Sequence, residues 1–199
     1  MGISVPQYQI LTQFGMIPGA QQVSNDPILA TSSWFNGEIL AYSIDTDMVY
    51  VARFPSHKRF FIHMPVGRRL PMYCTAAGRA YLSALPRAEA IQILRRSTLR
   101  ALTPMTIVDP EVLIERIDAA REAGYAWCEQ ECYRGDLTIG APILGDEGRP
   151  IAAVNISGPT SRWTLDALRS KLSSVLLETA RAASSGLAAR LGKSRNLRR

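Results

Sequence analysis

The sequence predicts one α+β domain in which helices flank an antiparallel sheet. Strand-like runs come in two groups of three, and most consecutive strands are joined by short connections, which favour antiparallel pairing over a parallel, doubly wound sheet. Helical patterns lie between the two groups and after the second. The length of 199 residues, 47% of them hydrophobic and 20% charged, fits a single domain that can bury a sizeable core.

The first group of strands follows a loop-like N-terminal segment and a short predicted helix over Ala20–Ser33. Two β-branched and aromatic runs, Glu38–Asp45 and Met48–Phe54, surround a turn at Thr46-Asp47 and predict a hairpin. The run RFFIHMPVG, residues 59–67, predicts the third strand.

Three helices are predicted next. Two cover Thr75–Leu85 and Arg87–Arg96. The third has the clearest boundaries, because Asp109 followed by Pro110 is typical of a helix start and Gly124 of a helix end.

The second group of strands comprises YAWCEQEC (Tyr125–Cys132), LTIGAPILG (Leu137–Gly145) and PIAAVNISG (Pro150–Gly158). A turn over residues 145–148 joins the last two. A long helix beginning near Thr164 closes the domain, with an apolar stripe that predicts core packing. The stripe consists of Leu165, Leu168, Leu172, Val175, Leu176, Ala180, Ala183 and Leu187.

Charge and cysteine content restrict the class of protein. The net charge is +6, but Lys and Arg are spread along the chain except for a basic tail, RLGKSRNLRR, which is interpreted as a solvated terminus. Three cysteines without a CxxC spacing fit reduced thiols, and the chain shows neither a signal peptide nor an apolar run of about 18 residues. We therefore expect a cytoplasmic protein with no membrane partner.

The segment VGRRLPMYCTAAGRA, Val66–Ala80, predicts a binding site. Thr75 can cap a helix whose first turn is Ala76, Ala77 and Gly78, side chains too small to cover the free backbone amides. An anion can reach such amides. The alternative is purely structural, with Gly78 serving close helix packing.

Signatures of enzymes and metal sites are missing from the sequence. There is no GxSxG, Walker, HExxH or GxGxxG motif, and neither histidine has neighbours that complete a metal site. Glu129 and Glu131 alternate with Gln130 on the predicted strand and are interpreted as solvent-facing. We expect no catalytic residue, no metal and no cofactor.

Three separated motifs resemble one known family. VGRRLPMYCTAAGRAYLSALP, LTPMTIVDPEVLIERIDAAREAGYAWCEQECYRGDLTIGAPIL and GRPIAAVNISGP occur in the order and at the spacing of the effector-binding domain of isocitrate lyase regulator (IclR) type bacterial transcription regulators. The resemblance covers roughly residues 20–192, which leaves 1–19 as an N-terminal linker segment and 193–199 as a basic C-terminal tail.

The resemblance implies a GAF- or PAS-like domain with a six-stranded antiparallel sheet that encloses a small carboxylate or aromatic acid effector. It also implies a homodimer or homotetramer. Such regulators carry a winged helix-turn-helix before this domain, and the sequence before residue 20 is too short for one. DNA contact is therefore expected only through a reader that is not present in this chain.

The resemblance further implies effector contacts at seven positions. The backbone amides of Ala76 and Ala77 would hold the acid group of the ligand, and five side chains would form the opposite wall: Cys128, Asp136, Thr138, Asn155 and Ser157. The family's pattern has an acidic residue in place of Cys128, an apolar one in place of Asp136 and a serine in place of Asn155. Together with Met72, Tyr73 and Trp127 nearby, these departures favour an aromatic or hydroxylated acid over a two-carbon acid such as glyoxylate.

Other interpretations stay open at the sequence level. Asn155 and Ser157 share one strand face and fit a core whose polar groups are satisfied by backbone as well as they fit a binding site. A cysteine-dependent GAF-like reductase would use Cys128 as nucleophile, with Cys132 or Cys74 as the resolving thiol. A module that serves dimerisation only is the third alternative.

Overall fold

An antiparallel hairpin forms the first part of the sheet. The computed structural model describes residues 38–53 and 65–196, so the predicted helix over Ala20–Ser33 and most of the predicted third strand lie outside the described residues. Strands β1 (Glu38–Ile44) and β2 (Asp47–Arg53) pair antiparallel. Their turn is centred one residue earlier than predicted, because Asp45 takes the left-handed backbone conformation with φ +54°.

A short strand lies just after the predicted third run, of which residues 59–64 are outside the described residues. Residues 65–67, the end of the RFFIHMPVG run, form a turn in which Gly67 has φ +87°. Strand β3 (Arg69–Pro71) follows and pairs antiparallel with β2. A three-residue 3₁₀ turn at Met72–Cys74 then leads into the first described helix.

The second half of the sheet contains β4 (Ala126–Glu129), β5 (Asp136–Leu144) and β6 (Pro150–Pro159). A four-residue ladder between β1 and β6, from Glu38 opposite Ile156 to Ala41 opposite Ala153, joins the two halves. The strand order is β3-β2-β1-β6-β5-β4, and every neighbouring pair is antiparallel. The predicted α+β class is confirmed.

Three helices lie between the halves in sequence. They are α1 (Ala76–Ala84), α2 (Arg87–Arg96) and α3 (Pro110–Ala123). All three follow the predicted boundaries closely, since the capping residues act as expected. The Asp109 carboxylate accepts hydrogen bonds from two first-turn amides of α3, and Gly124 ends that helix at φ +78°.

The last helix covers one face of the sheet. Helix α4 (Leu165–Asn196) packs Leu168, Leu172 and Leu176 against inward-facing side chains of β5 and β6 such as Ile139 and Ile156. Most of the predicted apolar stripe is therefore core: Ala180 is buried with these leucines, and Leu165 and Ala183 pack against them partly buried. No helix within residues 38–53 and 65–196 is long and apolar enough to cross a membrane.

Helix α1 covers the opposite face of the sheet. A Cβ added at Gly140 of β5 would lie 2.8 Å from the carbonyl carbon of Ala76, so only glycine permits this approach of helix to strand. The glycine thus sets the start of α1 directly over the middle of β5. The space that remains beside that helix start is where the candidate site lies.

Candidate functional site

A partly open cavity lies beside the start of α1, between the helix and the sheet. The space between its lining atoms amounts to about 380 Å³, including the part that opens to solvent. Six of the seven predicted contact residues line it. They are Ala76, Cys128, Asp136, Thr138, Asn155 and Ser157.

Strand alternation explains why the side chains from the sheet point to this cavity. Cys128, Thr138 and Ser157 lie directly opposite one another on β4, β5 and β6 and form one row across the sheet. Asp136 is two residues before Thr138 and Asn155 two residues before Ser157, which keeps all five on one face. The intervening residues face α4 and form the core described above.

The helix start is capped as the sequence predicts. Thr75 Oγ1 accepts a hydrogen bond of 3.1 Å from the Gly78 amide. A Cβ at Gly78 would lie 2.3 Å from the Cα of Met72. This glycine therefore serves close helix packing, which is the structural alternative at the sequence level. Ala76 lines the cavity, whereas Ala77 belongs to the hydrophobic core at 1% exposure and is absent from the cavity wall.

Two buried oxygen atoms of the cavity wall have no hydrogen-bond partner. They are Oδ1 of Asp136 and Oδ1 of Asn155, the only such side-chain atoms found within the described residues. Asn155 is only 2% exposed. Buried acceptors without a partner are costly, so these two atoms mark a place where a bound molecule or ordered water would supply donors.

Burial raises the pKa of Asp136 to about 7. No cation within the described residues pairs with this carboxylate, and loss of hydration favours its protonated form. The side chain thus carries a partial negative charge near neutral pH in the wall of the cavity, where the ionised form disfavours a second carboxylate at close range.

At the cavity wall, which Glu131 helps to line, a buried ion pair joins α1 to the loop after β4. Arg79 Nη1 and Nη2 donate to the two carboxylate oxygens of Glu131 at 2.6 and 2.5 Å, and Arg79 Nε donates to the Tyr73 carbonyl at 2.8 Å. Sequence reasoning missed this pair. The available signal was Arg79 itself, the single charged residue of a helix composed otherwise of small and apolar side chains and one serine.

The prediction that Glu131 faces solvent is therefore wrong. It assumed that the strand continues to Cys132, but β4 ends at Glu129. Gln130 has φ +54° and its amide donates to the Asp136 carbonyl, so the chain leaves the sheet and turns inward. Glu131 is only 5% exposed as a result.

The end of β4 also changes the arrangement of the cysteines. Cys128 and Cys132 do not share a strand face, because Cys132 belongs to the loop. Instead Cys132 Sγ lies 3.3 Å from Cys74 Sγ, and all three thiols line the cavity and are free. Burial raises the pKa of Cys128, and the contact with Cys74 together with burial raises that of Cys132.

A family model matches most of the chain. Residues 39–185 match the model described as "Bacterial transcriptional regulator IclR C-terminal". The match spans most of the described sheet, the three central helices and much of α4.

Sequence relatives carry the name of a transcription repressor. The chain is 30% identical over 178 residues to the HTH-type transcriptional repressor AllR of Escherichia coli strain K12. The matched region covers 85% of this chain and 65% of that protein. The chain spans 45% of the length of the AllR of Klebsiella pneumoniae. It is thus shorter than the curated relatives that it matches.

Two solved structures resemble the fold. A putative transcriptional regulator, RHA06195 of Rhodococcus sp. RHA1, gives a TM-score of 0.77 at 32% identity over 86% of this chain and 67% of that one. The inducer-binding domain of PobR from Acinetobacter, a double mutant in complex with 3-hydroxybenzoic acid, gives a TM-score of 0.71 at 27% identity. That match covers 88% of this chain and 96% of the PobR chain.

Proposed function

Because the chain belongs to the family of C-terminal domains of IclR-type bacterial transcriptional regulators, we propose that its cavity binds a small carboxylate or aromatic acid and that binding is transmitted to DNA. The observation that carries the proposal is the convergence of six predicted contact residues on one cavity with two unsatisfied acceptors. The 3-hydroxybenzoic acid in the PobR complex is an acid of this class.

The start of α1 is the proposed anchor for the acid group. Amides of a first helical turn carry partial positive charge and attract a carboxylate. The Gly78 amide is already satisfied by Thr75, so the anchor is expected at the amides of Ala76 and Ala77. Ala76 is the main candidate of the two, since it lines the cavity, whereas Ala77 lies in the core outside the cavity wall.

The five strand residues of the wall are the proposed partners for the rest of the ligand. Thr138 and Ser157 carry hydroxyl groups, Asn155 offers a donor and an acceptor, and Cys128 adds a softer, less polar surface. Convergent polar side chains of this kind fix the orientation of a bound ligand.

DNA binding is proposed to reside in a winged helix-turn-helix acting together with this domain. AllR is named an HTH-type repressor and is longer than this chain. Effector binding would shift the populations of two arrangements of a homodimer or homotetramer, which the DNA reader reports. Such a regulator acts in the cytoplasm.

The reductase alternative is disfavoured by the thiols. A nucleophilic cysteine needs a thiolate, but burial raises the pKa of Cys128, and the close thiol pair is formed by Cys74 and Cys132 instead. The relatives are named as transcription regulators, which supports a non-enzymatic role.

A thermal-shift screen with short-chain and aromatic carboxylates tests the proposal. A ligand that binds only the folded protein must raise the unfolding midpoint. Ala76→Leu should abolish the shift by filling the cavity beside the helix amides, whereas Ala88→Leu, the same change at an exposed position of α2, should preserve it. If no acid shifts the wild-type midpoint, or if Ala76→Leu binds as well as wild type, the proposal is wrong.

A further inference from the structure

The two unpaired acceptors restrict the chemistry of the ligand beyond its acid group. Asp136 Oδ1 and Asn155 Oδ1 are buried in the cavity wall and receive no hydrogen bond. A simple carboxylate has acceptors only, so it satisfies neither Asn155 Oδ1 nor the ionised form of Asp136. A ligand that also carries a hydroxyl or N–H group can satisfy them.

The two acceptors lie at different distances from the helix start. Asn155 is directly opposite Gly140, and Gly140 is the residue on which the start of α1 rests. Asp136 is four residues from Gly140 along β5, a separation of roughly 13 Å between the two Cα atoms. Asp136 is therefore at the end of the cavity remote from the proposed anchor.

That separation sets a minimum length for the ligand. The Asp136 side chain and a hydrogen bond of about 2.8 Å at each end shorten the gap to roughly 5–7 Å between acid oxygen and donor atom. A two-carbon acid is too short to span it. A hydroxybenzoate or a five-carbon hydroxy acid has the required reach.

The surroundings of Asp136 give it no partner from the protein. Tyr50 and Cys132 are its titratable neighbours. Burial and the charge of Asp136 raise the pKa of Tyr50, and the contact with Cys74, burial and the same charge raise that of Cys132, so both stay protonated. Neither donates a hydrogen bond to Asp136 Oδ1. The buried cation Arg79 is bound to Glu131 and Tyr73. The acceptor capacity of Asp136 Oδ1 is thus unused by the described residues and is available to a ligand.

We propose that Asp136 is a specificity-determining residue that accepts a hydrogen bond from a hydroxyl or N–H group at the far end of the acid effector. The inference rests on the proposed function, since it presumes an acid anchored at α1. It commits the site to an extended acid with a donor, either aromatic or aliphatic, and rejects acids of the same shape without one.

Isothermal titration calorimetry with two matched ligand pairs tests this inference. In each pair a methyl group replaces the hydroxyl: 3-hydroxybenzoate against 3-methylbenzoate, and 5-hydroxypentanoate against hexanoate. In at least one pair, the hydroxyl-bearing acid is expected to bind about 10- to 100-fold more tightly, the range for a hydrogen bond to a charged or buried group.

Variants assign the preference to Asp136. Asp136→Val should reduce the ratio within that pair to less than about threefold, because valine offers no acceptor. Asp136→Asn keeps a carbonyl acceptor and should retain part of the ratio. Glu129→Val is the control: it removes a carboxylate from an exposed position of β4 and should leave the ratio unchanged.

The outcomes separate the two proposals. If both members of each pair bind equally to the wild type, or if Asp136→Val retains the ratio, the role of Asp136 is disproved while acid sensing stands. If none of the four acids and none of the wider carboxylate panel binds the folded wild type, the proposed function fails and this inference fails with it. Circular dichroism melts of every variant establish that the fold is intact.

Discussion

Arg79 and Glu131 join three segments of the domain through one bidentate ion pair. Their side chains are 1% and 5% exposed, and Glu131 Oε2 also accepts a hydrogen bond from the Ile107 amide at 3.2 Å. The pair therefore connects α1, the loop after β4 and the loop before α3. Because the loop after β4 also carries Cys132 and leads to Asp136, the ion pair holds the wall of the cavity in place.

Removal of one partner of this pair should be strongly destabilising. Glu131→Gln leaves the buried Arg79 charge uncompensated, and we expect a loss of about 3–5 kcal/mol in the free energy of unfolding measured in urea. The double variant Arg79→Met/Glu131→Leu should recover a large part of that loss, since no charge remains buried.

The exposed pair of Arg87 and Asp118 provides the control. Asp118 is 34% exposed and Arg87 58% exposed, so Asp118→Asn should change the free energy of unfolding by about 1 kcal/mol or less. A loss for Glu131→Gln as small as that would contradict the structural role assigned to the ion pair.

The same ion pair shows where sequence reasoning stops. The helix boundaries could be predicted because Asp109, Pro110 and Gly124 act locally. The faces of β5 and β6 could be predicted because alternation is local too. The end of β4 depends on Gln130 entering the left-handed region, for which asparagine or glycine would have been the usual signal.

The candidate site follows the same division. Asn155 and Ser157 could be placed on one face from their spacing, and the resemblance added Cys128, Asp136 and Thr138. The contact between Cys74 and Cys132 joins residues 58 positions apart. Nothing in the spacing of these cysteines indicates that contact, since it depends on the chain reversing after β4.

Gly78 should tolerate no larger residue. A Cβ at this position would lie 2.3 Å from the Cα and 2.4 Å from the carbonyl oxygen of Met72, and backbone atoms cannot move aside as a side chain can. We expect Gly78→Ala to cost more than about 3 kcal/mol in the free energy of unfolding, by analogy with severe overpacking.

Gly124→Ala is the matched control for Gly78→Ala. Gly124 needs φ +78°, but its Cβ would meet only a leucine side-chain atom at 3.5 Å. The expected cost is about 1–2 kcal/mol, the penalty of the left-handed conformation. If the two variants are equally stable, the close approach of α1 to the 3₁₀ turn is not as the structure has it.

Asp136 should make the protein less stable as the pH rises. Its pKa is about 7 in the folded protein and 3.8 for the unperturbed group. Between these values the folded state holds one more proton than the unfolded state, so this group lowers the free energy of unfolding progressively from pH 4 to pH 7, by roughly 4 kcal/mol in all. Above pH 7 the cost is fully present, and below pH 4 it is absent.

The comparison of wild type with Asp136→Asn isolates this contribution. The variant should gain stability relative to wild type at pH 8 but not at pH 4, as measured by urea unfolding at both values. The neighbouring groups do not titrate in this window. Burial raises the pKa of Tyr50, which faces Asp136, and also that of Cys128. The contact with a second thiol, together with burial, raises the pKa of Cys132, which also faces Asp136, so all three remain protonated. An equal difference at both pH values would show that Asp136 is ionised in the fold.

Cys74 and Cys132 should form a disulfide under mild oxidation. Their Sγ atoms are 3.3 Å apart, and the thiol-specific oxidant diamide would take two electrons and two protons from the pair as it becomes the hydrazine. The raised pKa of Cys132 makes the reaction slow at neutral pH and faster as the pH rises, because the thiolate is the attacking form. Peptide mass spectrometry should identify the 74–132 link.

Single serine variants decide which thiols take part. Cys132→Ser should abolish the cross-link, and Cys128→Ser should retain it, since Cys128 has no thiol contact within the described residues. The link would replace the hydrogen-bonded contact of two cavity-lining thiols by a covalent bond, so the oxidised protein should bind an acid ligand with altered affinity, restored by dithiothreitol. A cross-link that includes Cys128 would contradict the position of Cys132 in the loop after β4.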